Sequence, residues 1–295
     1  MIEHRRTGRG MAKKTIELRQ RCHEILEEIE PATVRAVCYR LFVLKLIPDM
    51  SKNSTGKVSR ILTGAREDGE IPWAWIVDET RELEQVAQWA NPGQFSDTVK
   101  RSYRRDRWQH QPRRVEVWSE KGTMRGTLRP VLDSYGVGFR VLHGFGSATA
   151  MMEIAEATAG DAVPRLIFYL GDWDPSGMHM SNVDIPNRLM KYEGNIELVR
   201  LALKRDDLDR ADVKPTAFPA LHKEKDPRFQ WFVDHLGDSC WELDALSPVT
   251  VRDRVEEAIL RVIDLDAWNR ADRSEQVEIA SLNEVLTVWA NLRAP

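Results

Sequence analysis

The sequence has few cysteines and no recognisable zinc motif. Its 295 residues contain only three cysteines, Cys22, Cys38 and Cys240, an odd number at wide spacing. No C-x-x-C pair occurs, and the seven histidines form no H-E-x-x-H motif. A disulfide framework and a structural zinc site are therefore not expected, and we predict an intracellular, cytoplasmic protein.

Long apolar runs are also missing. The longest, from Val37 to Ile47, is interrupted by Arg40 and Lys45 and is too short to cross a bilayer. The basic N-terminus is not followed by the apolar segment of a signal peptide. We therefore expect a soluble protein with no membrane partner, and the length favours two domains.

Charge is nearly balanced overall but unevenly distributed. The net charge of −3 indicates no class of partner by itself. Basic residues dominate positions 1–66 and 100–114, whereas acidic residues dominate 67–84 and much of the C-terminal third. Basic blocks in an acidic chain are typical of a protein that binds duplex DNA, because phosphate contacts supply most non-specific affinity. Two solvated charged faces are the alternative interpretation.

The N-terminal third predicts three helices followed by a strand. Apolar spacing indicates helices over 16–30, 33–48 and 55–68, and the aromatic-rich run 71–77 indicates a short strand or hairpin. This order is that of a winged helix-turn-helix, which presents one helix to a groove of DNA. Packing of three helices without DNA is the alternative.

The third predicted helix has a basic face. The candidate DNA-binding residues on and around it are Lys52, Lys57, Arg60 and Arg66, and those of the later basic segment are Arg104, Arg105 and Arg107. On the second predicted helix, Arg35 and Tyr39 lie four residues apart and outside the apolar stripe. A guanidinium and a phenol at this spacing can lie side by side.

Beyond position 112 the chain alternates strands and helices. Strands are predicted over 115–118, 139–143, 165–170 and 196–203, and helices over 123–135, 147–158 and 176–190. Such repeated units are typical of an α/β fold with a parallel sheet. The predicted organisation is a helical arm (1–30), a winged-helix domain (31–82), a basic linker (83–112) and an α/β domain (113–295) that ends in helices near 252–268 and 275–291.

Three carboxylates follow two of these strands. Glu120 comes soon after the first strand, and Asp172 and Asp174 come just after the third. Ligands of parallel sheets bind beyond the carboxyl ends of the strands, so the three carboxylates share one edge if the two strands are neighbours. Carboxylate oxygens are ligands that Mg²⁺ prefers, and Gly171 and Gly177 allow close approach of the backbone. The sequence therefore predicts a metal site at this edge.

Several segments resemble one protein family. V-E-V-W-S-E-K-G-T-M at 115–124 and Y-L-G-D-W-D-P-S-G-M-H-M at 169–180 resemble the two motifs of Toprim domains. T-V-R-A-V-C-Y-R-L at 33–41 resembles the arginine and tyrosine motif in the winged-helix domain of the DNA topoisomerase VI A subunit and of its relative that makes meiotic double-strand breaks. The resemblance covers roughly residues 30–190, and W-E-L-D-A-L at 241–246 resembles a later block. The length resembles that of short, stand-alone A subunits from mobile elements.

The resemblance implies a winged-helix domain followed by a Toprim domain, and a role for individual residues. Tyr39 would attack a DNA phosphate and form a 5′-phosphotyrosyl bond, with Arg35 stabilising charge and Lys121 contacting the scissile phosphate. The ligands of Mg²⁺, or of Mn²⁺ in its place, would be Glu120, Asp172 and Asp174, supported by Glu242 and Asp244. Double-stranded DNA would be the substrate.

The resemblance also implies partners. In the family the tyrosine of one protomer works with the metal site of the other, so a homodimer is expected. Nothing in the chain resembles a GHKL ATPase or a P-loop, so ATP-driven strand passage would need an ATPase partner of unknown identity. We expect association with DNA in the nucleoid.

Three functions stay open at this point. The first is DNA cleavage by tyrosine transesterification, and the second is hydrolytic cleavage by a metal-dependent Toprim nuclease. The third is DNA binding without cleavage, as in a regulator. A phosphatase of the haloacid dehalogenase type is disfavoured, because its D-x-D motif follows the first strand of the sheet, whereas Asp172 and Asp174 follow the third.

Overall fold

The structure is a computed structural model that describes residues 13–76, 86–142 and 148–292. Its helices are α1 (Lys13–Ile29), α2 (Val34–Val43), α3 (Lys52–Glu67), α4 (Pro92–Ser102), α5 (Met124–Tyr135), α6 (Ala148–Thr158), α7 (Pro175–His179), α8 (Ile185–Lys191), α9 (Phe229–Leu236), α10 (Pro248–Leu260) and α11 (Leu265–Leu292). Its strands are β1 (Val115–Ser119), β2 (Gly138–Val141), β3 (Arg165–Leu170), β4 (Ile196–Ala202), β5 (Phe218–Pro219) and β6 (Ser239–Cys240). Within these ranges, no helix is long and apolar enough to cross a membrane.

Helices α1, α2 and α3 contact one another and share a core, which confirms the three predicted helices. The hydroxyl of Thr33 accepts a hydrogen bond from the Ala36 amide at 3.0 Å and so caps the start of α2. Helix α2 is shorter than expected, because Lys45 has a φ of 57° and turns the chain away. The first twelve residues of the predicted arm lie outside the described residues.

Residues 71–76 do not form the predicted strand or hairpin. Trp73–Trp75 form a short 3₁₀ helix, and Ile76 pairs with Ala32 only in an isolated parallel bridge. The alternating aromatic pattern has another cause here, because the Trp73 ring stacks 4.1 Å from the Arg66 guanidinium and the Trp75 carbonyl accepts from the Ala32 amide. Positions 77–82 of the predicted wing lie outside the described residues.

The central sheet has four parallel strands in the order β2-β1-β3-β4 within the described part of the chain. Strands β1 and β3 are neighbours in register from Val115 opposite Leu166 to Ser119 opposite Leu170. Helices α5 and α10 cover one face, and α6 and α8 cover the other. The predicted α/β architecture is thereby confirmed, together with the neighbouring strands that the predicted site required.

The segment predicted as a basic linker, 83–112, contains two helices in its described part. Helix α4 packs against α11, and Trp108, in a short 3₁₀ helix, is buried and donates a hydrogen bond to the Tyr135 carbonyl at 2.7 Å. The first part of the predicted linker, 83–85, lies outside the described residues. Helix α4 and the 3₁₀ helix both pack against the C-terminal helix α11.

The break between the two C-terminal helices lies nearer the N-terminus than predicted. The break lies at 261–264 instead of near 270, so α11 is a single helix of 28 residues. Asp264 starts α11, because its carboxylate accepts a hydrogen bond from the Ala267 amide at 2.9 Å. No glycine or proline interrupts α11 at the position where the break was expected. Residues 293–295 lie outside the described residues.

Candidate active site

Three carboxylates meet at the carboxyl ends of β1 and β3, and we call them the acidic edge. Glu120 follows β1, and its amide donates to the carbonyl of Leu170 in β3 at 3.3 Å. Asp172 and Asp174 follow β3 directly. Their negative charges lie close enough to Glu120 to raise its pKa. The acidic edge therefore has the location that the strand pattern predicted.

Glu120 sits in a tight pocket of the acidic edge. Burial raises the pKa of Glu120 to about 7, the charge of Asp172 adds to this, and a hydrogen bond of 2.7 Å from the Tyr169 hydroxyl opposes it. A methyl group at Gly171 would lie 2.1 Å from Glu120 Oε1, and one at Gly177 would lie 2.8 Å from the same atom. Both glycines are thus required for the carboxylate to lie against the backbone.

The two aspartates have different partners. Asp174 is buried, and its Oδ1 accepts a hydrogen bond from the Gly177 amide at 2.7 Å, which caps α7. Its Oδ2 lies 3.2 Å from Lys223 Nζ. Asp172 Oδ1 accepts from the Leu243 amide at 2.7 Å. Each aspartate is therefore held by a backbone amide, which supports a carboxylate without neutralising it.

Helix α7 continues through a π-helical turn, Met180–Asp184, into α8, where a single helix was predicted over 176–190. The Ser181 hydroxyl in this turn donates to the Gly177 carbonyl at 3.2 Å. Turns of this kind often occur at functional sites. The turn lies immediately after the helix that Asp174 caps.

A second group of carboxylates reaches the site from a distant part of the chain. Trp173 and Trp241 exchange two backbone hydrogen bonds of 2.9 Å in an antiparallel bridge. This bridge brings Glu242 and Asp244 beside the acidic edge. Asp244 is buried, and its Oδ1 has no hydrogen-bond partner among the described residues.

Lys121 lies among three carboxylates, and we call this group the lysine cluster. Its Nζ is 2.7 Å from Asp244 Oδ2, 3.0 Å from Asp172 Oδ1 and 3.3 Å from Glu242 Oε2. Burial alone would lower the pKa of Lys121, but the three carboxylates outweigh it and raise that pKa above its ordinary value. The ammonium is thus held charged, and it points toward the carboxylates. The resemblance implied a contact with the substrate phosphate instead.

Helix α2 adds Arg35 and Tyr39 to the site. Arg35 forms an ion pair with Glu242, its Nε lies 4.0 Å from Asp244 Oδ2, and its guanidinium lies 5.7 Å from the centre of the Tyr39 ring. The two side chains are therefore neighbours, as their spacing predicted. The predicted residues Arg35, Tyr39, Glu120, Lys121, Asp172, Asp174, Glu242 and Asp244 all lie in one connected region.

Tyr39 is more buried than its position on α2 suggested. Only 4% of the residue is exposed, because the ring packs into the hydrophobic core beneath the sheet and not into the core of the three N-terminal helices. Burial raises the pKa of Tyr39 to about 12, the charge of Glu242 adds to this, and Arg35 opposes it. In this arrangement Tyr39 is a protonated and shielded phenol.

Arg200 in β4 supports the acidic edge, although the sequence analysis did not single it out. Its guanidinium donates to the carbonyls of Gly171 at 2.8 Å, Asp172 and Gly177 at 3.2 Å, and to the Ser181 hydroxyl at 2.6 Å. It thereby ties the turn after β3 to the start of α7. An arginine within the apolar run that ends β4, Leu198 to Ala202, was a signal available in the sequence.

Lys223 is a second residue that the sequence analysis missed. It ends a short 3₁₀ helix, Ala220–Lys223, that follows β5. Strand β5 pairs with β6, and β6 leads directly into Trp241 and Glu242. No local pattern marks Lys223, because its contact with Asp174 depends on this distant pairing.

The candidate DNA-binding residues fall into two groups. Lys52, Lys57 and Arg60 are exposed on α3 and form no ion pair with any described residue. Arg66 is covered in part by the Trp73 ring. Helix α3 therefore presents free positive charge to solvent, as a phosphate-binding surface requires.

The second group is largely neutralised within the chain. Arg105 forms an ion pair with Glu278, and Arg107 lies 2.7 Å from Asp272 and 2.9 Å from Glu275, all on α11. Arg104 is exposed and donates to nearby backbone carbonyls. The basic run at 100–114 is therefore in large part a docking surface for the acidic C-terminal helix.

The acidic edge has the chemistry of a site for a hard cation, because its ligands are all carboxylate oxygens held by backbone contacts. Within the described ranges, no group of three or more His, Cys, Asp or Glu side chains is already arranged to hold a metal ion. One reason lies in the geometry, since Lys223 takes an oxygen of Asp174 and Tyr169 takes an oxygen of Glu120. A cation at the acidic edge would compete with these contacts.

No family model, curated protein or solved structure matches the chain. The function is therefore inferred from the site itself. That site combines clustered carboxylates, two lysines and a phenol next to an arginine. These are groups suited to phosphodiester chemistry.

Proposed function

We propose that the protein cleaves double-stranded DNA in a reaction that depends on Mg²⁺, with Tyr39 as the nucleophile, in the manner of a topoisomerase VI A subunit. The observation that carries this proposal is the contact between α2 and the acidic site. Arg35 and Tyr39 are more than eighty residues from Glu120 in the sequence, yet Arg35 pairs with Glu242, and Tyr39 lies close enough to Glu242 and Lys121 for their charges to change its pKa. The proposal includes a Toprim-like sheet domain and a winged-helix-like N-terminal domain.

The proposed step is a transesterification. The Tyr39 oxygen attacks the phosphorus, a phosphotyrosyl bond forms and the bond from phosphorus to the 3′ oxygen breaks. The phenol loses its proton, and the departing 3′ oxygen gains one to become a hydroxyl. Arg35 is suited to stabilise the phenolate and the negative charge of the reacting phosphate.

The acidic edge would hold the metal through Glu120, Asp172 and Asp174. When bound, Mg²⁺ would neutralise charge on the phosphate or on the departing oxygen. Lys223, now paired with Asp174, would be released toward the substrate, since its side chain is 45% exposed. Arg200 would keep the turn after β3 in position during this exchange.

Helix α3 is the proposed contact to the DNA backbone. Its exposed Lys52, Lys57 and Arg60 offer free charge, whereas Arg105 and Arg107 are engaged by α11. The proposed biological unit is a homodimer on DNA. Tyr39 lies beside the site of its own chain, so use of the partner's metal site, as the resemblance implies, would require α2 to separate from the segment at 241–246. An ATPase partner would be needed for strand passage.

Hydrolysis is the second candidate function, and the burial of Tyr39 favours it. A phenol with 4% exposure and a pKa raised to about 12 is not a ready nucleophile. Transesterification requires α2 to separate from the segment at 241–246, so that Tyr39 is exposed. Hydrolysis requires no such movement, because water would attack at the acidic edge.

Plasmid cleavage with Mg²⁺ separates the candidates. The comparison uses wild type, Tyr39→Phe and Asp172→Asn, with Tyr135→Phe as a control that removes a hydroxyl bonded to Glu256, away from the site. Transesterification predicts protein attached to DNA ends in wild type and loss of cleavage in Tyr39→Phe. Hydrolysis predicts cleavage that survives Tyr39→Phe but not Asp172→Asn. DNA binding that a chelator leaves unchanged, without any cleavage, would overturn both and favour a regulator.

A further inference from the structure

We propose that the Lys121 ammonium occupies a cation position formed by Asp172, Glu242 and Asp244, and that removal of its charge would turn this position into a site for a divalent metal ion. In the native protein, the Lys121 ammonium would act as the second cation of the centre, beside a single metal ion bound at the acidic edge. The existence of the cation position is independent of the proposed DNA cleavage. Its catalytic meaning rests on that proposed function.

The geometry around Lys121 supports this inference. Oxygens of three different carboxylates lie 2.7, 3.0 and 3.3 Å from Nζ. They come from two separate parts of the chain, the turn after β3 and the segment that follows β6. Carboxylate oxygens from separate backbone segments are the ligands that Mg²⁺ and Mn²⁺ prefer. With the ammonium in place, these three are not arranged to hold a metal ion, so they must close on the position once the ammonium is removed.

Asp244 supplies an independent observation. Its side chain is only 3% exposed, and while Oδ2 binds Lys121, Oδ1 is buried with no hydrogen-bond partner in the described part of the chain. A buried carboxylate oxygen without a donor is unusual and unfavourable. The carboxylate therefore has more ligand capacity than the ammonium uses.

The charges around the cluster are consistent with this role. Three carboxylates face Lys121, and Arg35 adds a second positive charge through Glu242. Lys121 and Arg35 together carry the charge of one divalent ion. Asp172 is shared between the cluster and the acidic edge, which puts the ammonium beside the proposed metal ion, as a second metal ion would be in a two-metal enzyme.

The test counts bound Mn²⁺ per chain by isothermal titration calorimetry, with electron paramagnetic resonance of free Mn²⁺ as a second measurement. The variants are Lys121→Ala and Lys121→Met, with Lys121→Arg retaining the charge. Lys225→Ala is the matched control, because this exposed lysine has no ion pair with any described residue. Near-ultraviolet circular dichroism checks that each variant is folded.

We expect Lys121→Ala or Lys121→Met to bind one more Mn²⁺ than wild type, and Lys121→Arg and Lys225→Ala to match wild type. Adding Asp244→Asn to Lys121→Ala should remove the extra ion. The inference is overturned if neutralising Lys121 leaves the number unchanged, if the extra ion persists with Asp244→Asn, or if wild type already binds two ions. If neither neutral variant folds, the number of Mn²⁺ ions bound to wild type is still a test, because two bound ions would overturn the inference.

The two proposals fail in different ways. If wild type binds no Mn²⁺ and Lys121→Ala binds one, the cation position is supported and the metal-dependent function falls. If wild type binds two and cleaves DNA, the function is supported and the inference about Lys121 falls.

Discussion

Two regions meet at the candidate active site, the acidic edge of the sheet and the face of α2 that carries Arg35 and Tyr39. The acidic edge is built from strand ends and backbone amides, and a cation that binds there must displace only side-chain contacts such as that of Lys223 with Asp174. The α2 face is covered, because Tyr39 is buried and Arg35 is paired with Glu242. The acidic edge therefore needs only side-chain exchange before it can act, whereas Tyr39 needs α2 to move.

The largest expected effect comes from Asp172→Asn, which weakens the edge and the lysine cluster together. We expect DNA cleavage to fall by about 10³-fold, since charge stabilisation by a metal ion contributes several kcal/mol. Initial rates on supercoiled plasmid measure this. Asp133→Asn is the control, because Asp133 is exposed and its ion pair is with Arg129 on the same helix. Equal rates for both variants would contradict a catalytic role for the edge.

Gly171→Ala tests how closely the edge is packed. The added methyl group would lie 2.1 Å from Glu120 Oε1 and 2.7 Å from the Tyr169 ring. We expect a loss of about 3 kcal/mol in the free energy of unfolding, measured by urea denaturation. Gly160→Ala, which meets nothing within 4 Å, should change it by less than about 0.5 kcal/mol. Similar changes in the free energy of unfolding for the two variants would mean that Glu120 does not lie close to Gly171 in solution.

The pH dependence of metal binding follows from Glu120. Its pKa is raised to about 7, so a proton must leave before the carboxylate binds a cation at lower pH. We expect Mn²⁺ affinity to fall about tenfold per pH unit below about 7 and to level off above it. Titration calorimetry between pH 5.5 and 8.5 measures this. A flat profile in wild type, or an unchanged slope in Glu120→Gln, would contradict the role of Glu120.

The same carboxyl predicts a trend in the stability of the metal-free protein. Because its folded pKa lies above the value of 4.5 for an unperturbed glutamate, the folded state binds this proton more tightly than the unfolded state. The contribution of Glu120 to stability is therefore present at low pH and is lost as pH rises toward about 7. Glu120→Gln should remove this decline from urea denaturation measured across that range.

DNA affinity extends the comparison to the two basic regions. Lys57→Ala with Arg60→Ala should weaken duplex binding about tenfold and reduce the salt slope by about 2, because two phosphate contacts are lost. Arg105→Ala with Arg107→Ala should change binding less than about twofold, since α11 already engages both. Fluorescence anisotropy of a labelled duplex at several salt concentrations measures both the affinity and its salt slope. If the substitutions at Arg105 and Arg107 weakened binding more than those at Lys57 and Arg60, the DNA would contact the segment 100–114 instead of α3.

The smallest expected effect is a change in the titration of Tyr39. The charge of Glu242 raises the pKa of Tyr39 and Arg35 lowers it. Glu242→Gln should therefore lower that pKa, and Arg35→Gln should raise it. Ultraviolet titration of each variant, with Tyr39→Phe in the same background as the reference, isolates the signal. Shifts in the same direction would mean that α2 does not contact the site in solution.

Much of the sheet domain was predictable because its signals are local. The four predicted strands are present with ends that differ by a few residues, and Glu120, Asp172 and Asp174 lie where strand ends place them. The helices are less well predicted, because a π-helical turn interrupts 176–190 and the C-terminal helices divide elsewhere. The expectation of a strand at 71–77 was wrong over its described part. Aromatic alternation does not reveal that Trp73 stacks on Arg66 and that the Trp75 carbonyl bonds to Ala32.

The sequence by itself determined which residues end each strand, because this depends on neighbours within a few positions. Only the tertiary structure decided which basic segment keeps free charge and which partners the carboxylates have. The Trp173 and Trp241 bridge brings Glu242 and Asp244 to Lys121, and the pairing of β5 with β6 brings Lys223 to Asp174. Contacts between segments this far apart in the sequence depend on packing of the whole domain, and no local spacing encodes them.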